Sequence, residues 1–112
     1  MEIRSSKLFK RQVADLVCYL KVTFGKRIAF RVKNEIEEKV FLLKLFPNMG
    51  TVESLLEEEP LVYRYLVIKH NKILYTVEEN YVFIHLLWDC RRDPIHLMDL
   101  IKEVDQPCYY PT

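Results

Sequence analysis

The repeat of apolar residues changes once along the chain, at Pro60, and that change limits the fold to helices packed against a sheet. Before Pro60, Phe9, Val13, Leu16, Val17, Leu20 and Phe24 recur at steps of three and four, as do Ala29, Val32, Ile36, Val40 and Leu43. That spacing collects side chains on one face of a helix. After Pro60, "VYRYLVI", "KILYTV" and "YVFIHLLW" are β-branched and aromatic runs separated by polar breaks, which reads as three strands.

The punctuation fills in the rest. Met1 to Arg4 reads as a short edge strand, and Ser5 or Ser6 as the cap of the first helix. Gly25 stops that helix, and the second starts almost at once, so the two form an antiparallel hairpin that ends before Pro47. "PNMG" at 47–50 is turn chemistry and "EEEP" at 57–60 closes a polar loop. Two-residue turns are expected around His70–Asn71 and Glu79–Asn80, with Asn accepting positive φ. The third strand is apolar on both faces, so it is central or covered. Pro94 opens a short terminal helix to about Ile101. The expected fold is α+β: a short N-terminal strand and a helical hairpin on one face of a three- to four-stranded, mainly antiparallel sheet, with the other face partly open.

With 112 residues and two glycines, residues 1–112 make one domain that buries a core without staples. Net charge is +1, but it is unevenly spread. Arg4, Lys7, Lys10, Arg11, Lys21, Lys26, Arg27, Arg31 and Lys33 face a lone Asp15, whereas Glu53, Glu57, Glu58 and Glu59 make the middle acidic. Such a front suits either the solvated faces of two helices or an anionic partner. Cys18, Cys90 and Cys108 are odd in number and show no CxxC pair, which fits a reducing, cytoplasmic setting. No apolar leader opens the chain, and Lys44 and Lys69 interrupt its longest apolar runs, so neither a signal peptide nor a membrane span is expected.

Two glycines exclude a phosphate-binding loop. His85, Cys90 and His96 lack any metal-ligand spacing, and a Cys90–His nucleophile lacks an orienting third group. No metal or cofactor is expected, and His85 reads as a core histidine. The distinctive stretch is "LLWDCRRDP" at 86–94, where a strand ends in an aromatic, a thiol and two arginines. Strand alternation puts Trp88 on the face of Leu86 and Ile84, with Arg91 and Arg92 just beyond. Trp88 is either core or part of a surface that stacks and forks onto anions. Arg64, Lys69 and Lys72 add positive charge from the sheet.

Those residues carry a resemblance. The hairpin "YLKVTFGKRIAFRVKNEIEEKVFLLKLFPNMG" and the sheet "YRYLVIKHNKILYTVEENYVFIHLLWDCRRDP" resemble the RelE/ParE superfamily of toxins from type II toxin–antitoxin systems. Leu43, Pro47 and Gly50 match its Leu-x-x-x-Pro-x-x-Gly segment, and the strand ending in Arg-Arg matches its sheet. The resemblance implies a growth-inhibiting toxin of the plasmid-stabilisation kind, neutralised by a cognate antitoxin and able to form a heterotetramer or larger assembly with it. Arg64, Lys69, Lys72, Trp88, Arg91 and Arg92 are then the expected surface for antitoxin and target. ParE-like members act on DNA gyrase without catalysis. RelE-like members cleave mRNA on the ribosome, and in that case Glu53 is the expected base while Lys72 and Arg91 stabilise the phosphorane. The segment Cys90, Arg91, Arg92 departs from the histidine and tyrosine with which a glutamate-using branch closes, and arginine is a poor acid near neutral pH. The reading leans to the ParE-like mode, with the ribonuclease and a non-toxic binding module as alternatives.

Overall fold

The computed structural model describes residues 1–103. In chain order these form β1 (Glu2–Ser5), α1 (Lys7–Phe24), α2 (Lys26–Leu45), β2 (Thr51–Val52), a 3-10 turn (Ser54–Leu56), β3 (Arg64–Ile68), β4 (Asn71–Val77), β5 (Tyr81–Asp89) and α3 (Ile95–Glu103). The sheet runs β1-β5-β4-β3-β2, parallel between β1 and β5 and antiparallel elsewhere. The expected α+β architecture is present, and the two-residue β2 brings the sheet to five strands. Cys108 lies outside the described residues.

Local chemistry explains the hairpin. The Ser6 hydroxyl accepts from the Phe9 N–H and donates to the His85 carbonyl, so one side chain both caps α1 and ties it to β5. Gly25 sits at φ 96°, its N–H bonded to Lys21 O at 3.1 Å and its carbonyl accepting from Ala29 N–H at 3.2 Å. A single left-handed residue thus ends one helix and starts the next. β1 covers only Tyr81 to Ile84 of β5. Farther along that edge, the Gln12 side-chain amide accepts from the Leu87 N–H at 2.7 Å and donates to the Leu87 carbonyl at 2.9 Å, standing in for the missing strand.

The turn at 47–50 is built around Tyr75. Its hydroxyl donates to Pro47 O at 2.8 Å and accepts from the Gly50 N–H at 2.9 Å. A Cβ on Gly50 would lie 2.5 Å from that hydroxyl and 2.8 Å from the Tyr65 carbonyl, so the glycine is required by close approach.

Two cores lie on opposite sides of the sheet. Phe9, Val32, Ile36 and Leu43 of the hairpin pack on Leu66, Ile68, Ile73, Tyr75, Val82, Ile84 and Leu87. On the other side Leu56, Tyr63, Leu97 and Ile101 pack on Leu74, Phe83, Leu86 and Trp88. The second face is therefore covered by α3 and the 3-10 turn, not partly open as expected. Three further expectations change. Trp88 shares a side with Leu86 but not with Ile84, because the pairing jumps from Leu74↔Leu86 to Tyr75↔Ile84. His85 is the extra residue of a bulge, which re-aims everything after it. The first hairpin turn is Lys69–His70, with positive φ (54°) at Lys69 and not at an asparagine. Phe24, on the apolar stripe of α1, is 59 % exposed.

His85 is fully buried, between the rings of Tyr63 and Phe83 at 5.0 and 4.8 Å. Its Nε2 lies 3.0 Å from Thr76 Oγ1, and Nδ1 has no partner among the described residues. Burial pushes its pKa down to about 3 from 6.5. Between those values the unfolded chain binds a proton that the folded chain does not, so stability falls as pH drops, by up to about 1.4 kcal/mol per pH unit. Urea denaturation should show a loss of roughly 2 kcal/mol between pH 6.5 and 5. His85→Gln, which keeps an amide for Thr76 but cannot titrate, should lack that loss; equal pH dependence in the two proteins would contradict the assignment.

Candidate functional site

Lys72, the second residue of β4, pairs with Trp88 and Val67. Its ammonium lies 2.7 Å from Glu53 Oε2 and 4.1 Å above the Tyr65 ring. Glu53 is 3 % exposed, and its other oxygen accepts from the Leu55 N–H at 3.3 Å, capping the 3-10 turn. The two groups expected to act as base and cation thus hold each other. Their bond fastens the segment after α2 to the sheet and leaves the carboxylate shielded from solvent.

Trp88 is buried with Leu86 and Leu97, and the Arg92 guanidinium lies 4.8 Å from its ring centroid. That distance is within cation–π range. At 2 % exposure the tryptophan is core, and the group that stacks on it is the chain's own Arg92. Arg91 turns back on the strand end: Nε and Nη2 donate to the two Asp89 oxygens at 3.0 and 2.8 Å, and its own N–H donates to Oδ1 at 2.9 Å. Hydrogen bonds from Arg91 hold the Asp89 pKa down at about 2, and Asp89 in turn raises that of Arg91. The Arg91 side chain remains 70 % exposed.

On the hairpin side of the sheet, Arg91 and Lys69 join His70 at the rim of a cavity of about 430 Å³. Leu16, Leu20, Ile28 and Val32 make its apolar floor. Tyr19 and Phe24, edge to face at 6.4 Å, form an exposed aromatic wall. The Cys90 N–H donates to His70 O at 2.7 Å, locking the β3–β4 turn to the end of β5. Cationic rim, apolar floor and fixed backbone are the features of a groove that receives an acidic segment with an apolar anchor.

Arg64 serves the fold: its guanidinium donates to Gly50 O at 2.9 Å and holds the turn after α2. The six residues expected as one surface therefore divide. Lys72, Trp88 and Arg92 belong to the α3 side, Lys69 and Arg91 to the hairpin groove, and Arg64 to a turn. Sequence reasoning missed Asp89, whose spacing two residues before Arg91 was the available signal, and Tyr65, which alternation from Tyr63 placed on the side of Lys72.

Removing one member of a shielded ion pair strands the other. Lys72→Met should cost about 2 kcal/mol in chemical denaturation, reduced from the fully buried value by the 20 % exposure of the lysine. Combining it with Glu53→Leu should recover part of that loss. Additive losses in the double-mutant cycle would show the two groups to be independent.

Residues 3–94 match the family model described as the ParE toxin of type II toxin–antitoxin systems, parDE. A solved structure described as a chromosomal ParDE TA system from P. aeruginosa is similar with a TM-score of 0.64 and 18 % sequence identity, covering 78 % of this chain and 92 % of that chain. At that identity it supports the fold. No curated protein matches. A family match over residues 3–94, reaching from β1 through the arginine pair, is decisive: the chain belongs to the ParE toxin family of type II toxin–antitoxin systems.

Proposed function

We propose that this toxin arrests growth in the ParE-like manner, by binding DNA gyrase without cleaving RNA, and that a cognate antitoxin neutralises it. The observation that carries the reading is the state of Glu53: the one candidate base is 3 % exposed and bound to Lys72 at 2.7 Å. A general base needs reach to the proton it takes, and this carboxylate is committed to holding the fold. The placement of α3 supports the same reading, since Leu97 and Ile101 occupy the sheet face beside Trp88 and Leu86. What remains exposed is cationic and suited to holding an anionic protein surface: Lys69, Arg91 and Arg92.

The antitoxin's contact is assigned to the hairpin groove. An acidic antitoxin segment there pairs with Lys69 and Arg91 while an apolar side chain enters between Leu16, Leu20 and Val32. Arg91 is already oriented by Asp89, so little side-chain freedom is lost on binding.

Induction of the chain alone should stop growth, reduce negative supercoiling of a reporter plasmid and leave transcript ends unchanged by primer extension. New codon-linked ends would establish the ribonuclease mode instead, and normal growth at good expression would establish a non-toxic module. Arg91→Ala with Arg92→Ala should abolish toxicity and weaken the antitoxin complex, most visibly at low salt. Full toxicity in that folded variant would remove the arginine pair from the site.

A further inference from the structure

α2 is apolar on two opposite faces. Ala29, Val32, Ile36 and Leu43 are buried against the sheet. Phe30, Asn34, Glu37, Phe41 and Leu45 follow at steps of four, three, four and four, a single line along the solvent side. Phe30, Phe41 and Leu45 are 52, 58 and 59 % exposed. Asn34, Glu37, Glu38 and Phe41, with Leu42, bound a shallow depression. Their spacing of i, i+3, i+4 and i+7 is that of the hole which receives one side chain of a facing helix. Phe30, one turn earlier on the same line, is a projecting side chain of the size to fill it.

Charge is uneven along the same helix. Lys26, Arg27, Arg31 and Lys33 precede Asn34; Glu35, Glu37 and Glu38 follow it, and Lys39 and Lys44 come after those. Among the described residues none of these charged side chains is in an ion pair.

We infer that the outer face of α2 docks on a second copy of this chain, the two helices antiparallel about a twofold axis near Asn34. Phe30 of each copy fills the hole between Asn34, Glu37, Glu38 and Phe41 of the other. Arg27 and Arg31 of each then lie beside Glu37 and Glu38 of the other, and symmetry doubles every contact. A parallel pair is disfavoured because it sets Arg31 against Arg31 and Glu38 against Glu38. One helix face buries less than the roughly 1,200–2,000 Å² of a stable complex, so the dimer is weak and dissociates on dilution. The contact uses neither Arg91, Arg92 nor the hairpin groove, so it stands or falls independently of the gyrase reading.

Sedimentation equilibrium of the full chain, from about 5 to about 500 µM, should show the mean mass rising from the monomer value toward twice it, less so in high salt. Phe30→Asp should stay monomeric throughout, with circular dichroism confirming that it folds. Arg27→Glu/Arg31→Glu, acidic at all four contact positions 27, 31, 37 and 38, and Glu37→Arg/Glu38→Arg, basic at those four, should each be monomeric alone and form a heterodimer when mixed. A chain monomeric at every concentration, a dimer that survives Phe30→Asp, or a mixture that stays monomeric would each overturn the inference. Loss of antitoxin binding in Phe30→Asp, with no self-association in the parent, would give the face to the antitoxin instead.

Discussion

Burial of β5 on both sides is the constraint on which the rest depends. From Val82 to Trp88 every residue of that strand is buried, so the sheet needs a cover on each face. The hairpin of α1 and α2 supplies one, and α3 with the 3-10 turn supplies the other. Solvent-facing chemistry is thereby pushed off the sheet faces to the places where strands stop. This doubly buried strand ends at Asp89, and Arg91 and Arg92 are fastened to that end by a carboxylate and an indole ring.

The segment between α2 and β3 shows the same economy of anchors. β2 contributes two residues and little pairing, so side chains finish the work: the Tyr75 hydroxyl at Pro47 and Gly50, Arg64 at Gly50 O, and Lys72 at Glu53. Three residues read from sequence as functional or as family markers, namely Gly50, Arg64 and Glu53, are accounted for by one packing problem. A charge inside a strand needs water or a partner, and for Lys72 the partner is a carboxylate brought from elsewhere in the chain.

The helices and the three long strands were legible because their signals are repeats of three-to-four and of two, which local sterics enforce. Gly25 was legible because a positive φ between two helices has few other occupants. What escaped reading has no local signature. The bulge at His85 is marked by neither glycine nor proline, yet it moves Leu86 and Trp88 to the side opposite Ile84. Lys69 takes the left-handed turn position although Asn71 is the better candidate by propensity, because pairing of Ile68 with Asn71 leaves only Lys69 and His70 to turn. The second cover was underestimated since Leu56 sits in a polar stretch and α3 is short. Of the site, the arginine pair was visible as a motif. Its division from Lys72 and Arg64 was not, because which side of a sheet a residue faces depends on a register that the sequence leaves unspecified.

The two adjacent arginines are not equivalent, and under the proposed function their difference bears on how a chain of net charge +1 would meet an anionic partner. Arg91 is neutralised locally by Asp89, so it adds little to the long-range field. What it retains is a fixed orientation and spare N–H donors, which favour register over speed. Arg92 lies over Trp88, and among the described residues it has no carboxylate. Its charge is therefore available at a distance and is screened by salt. Association rate should depend on Arg92 and Lys69, and residence time on Arg91. On the proposed reading, attraction and fit are thus divided between neighbouring residues that leave one strand end toward opposite sides of the sheet.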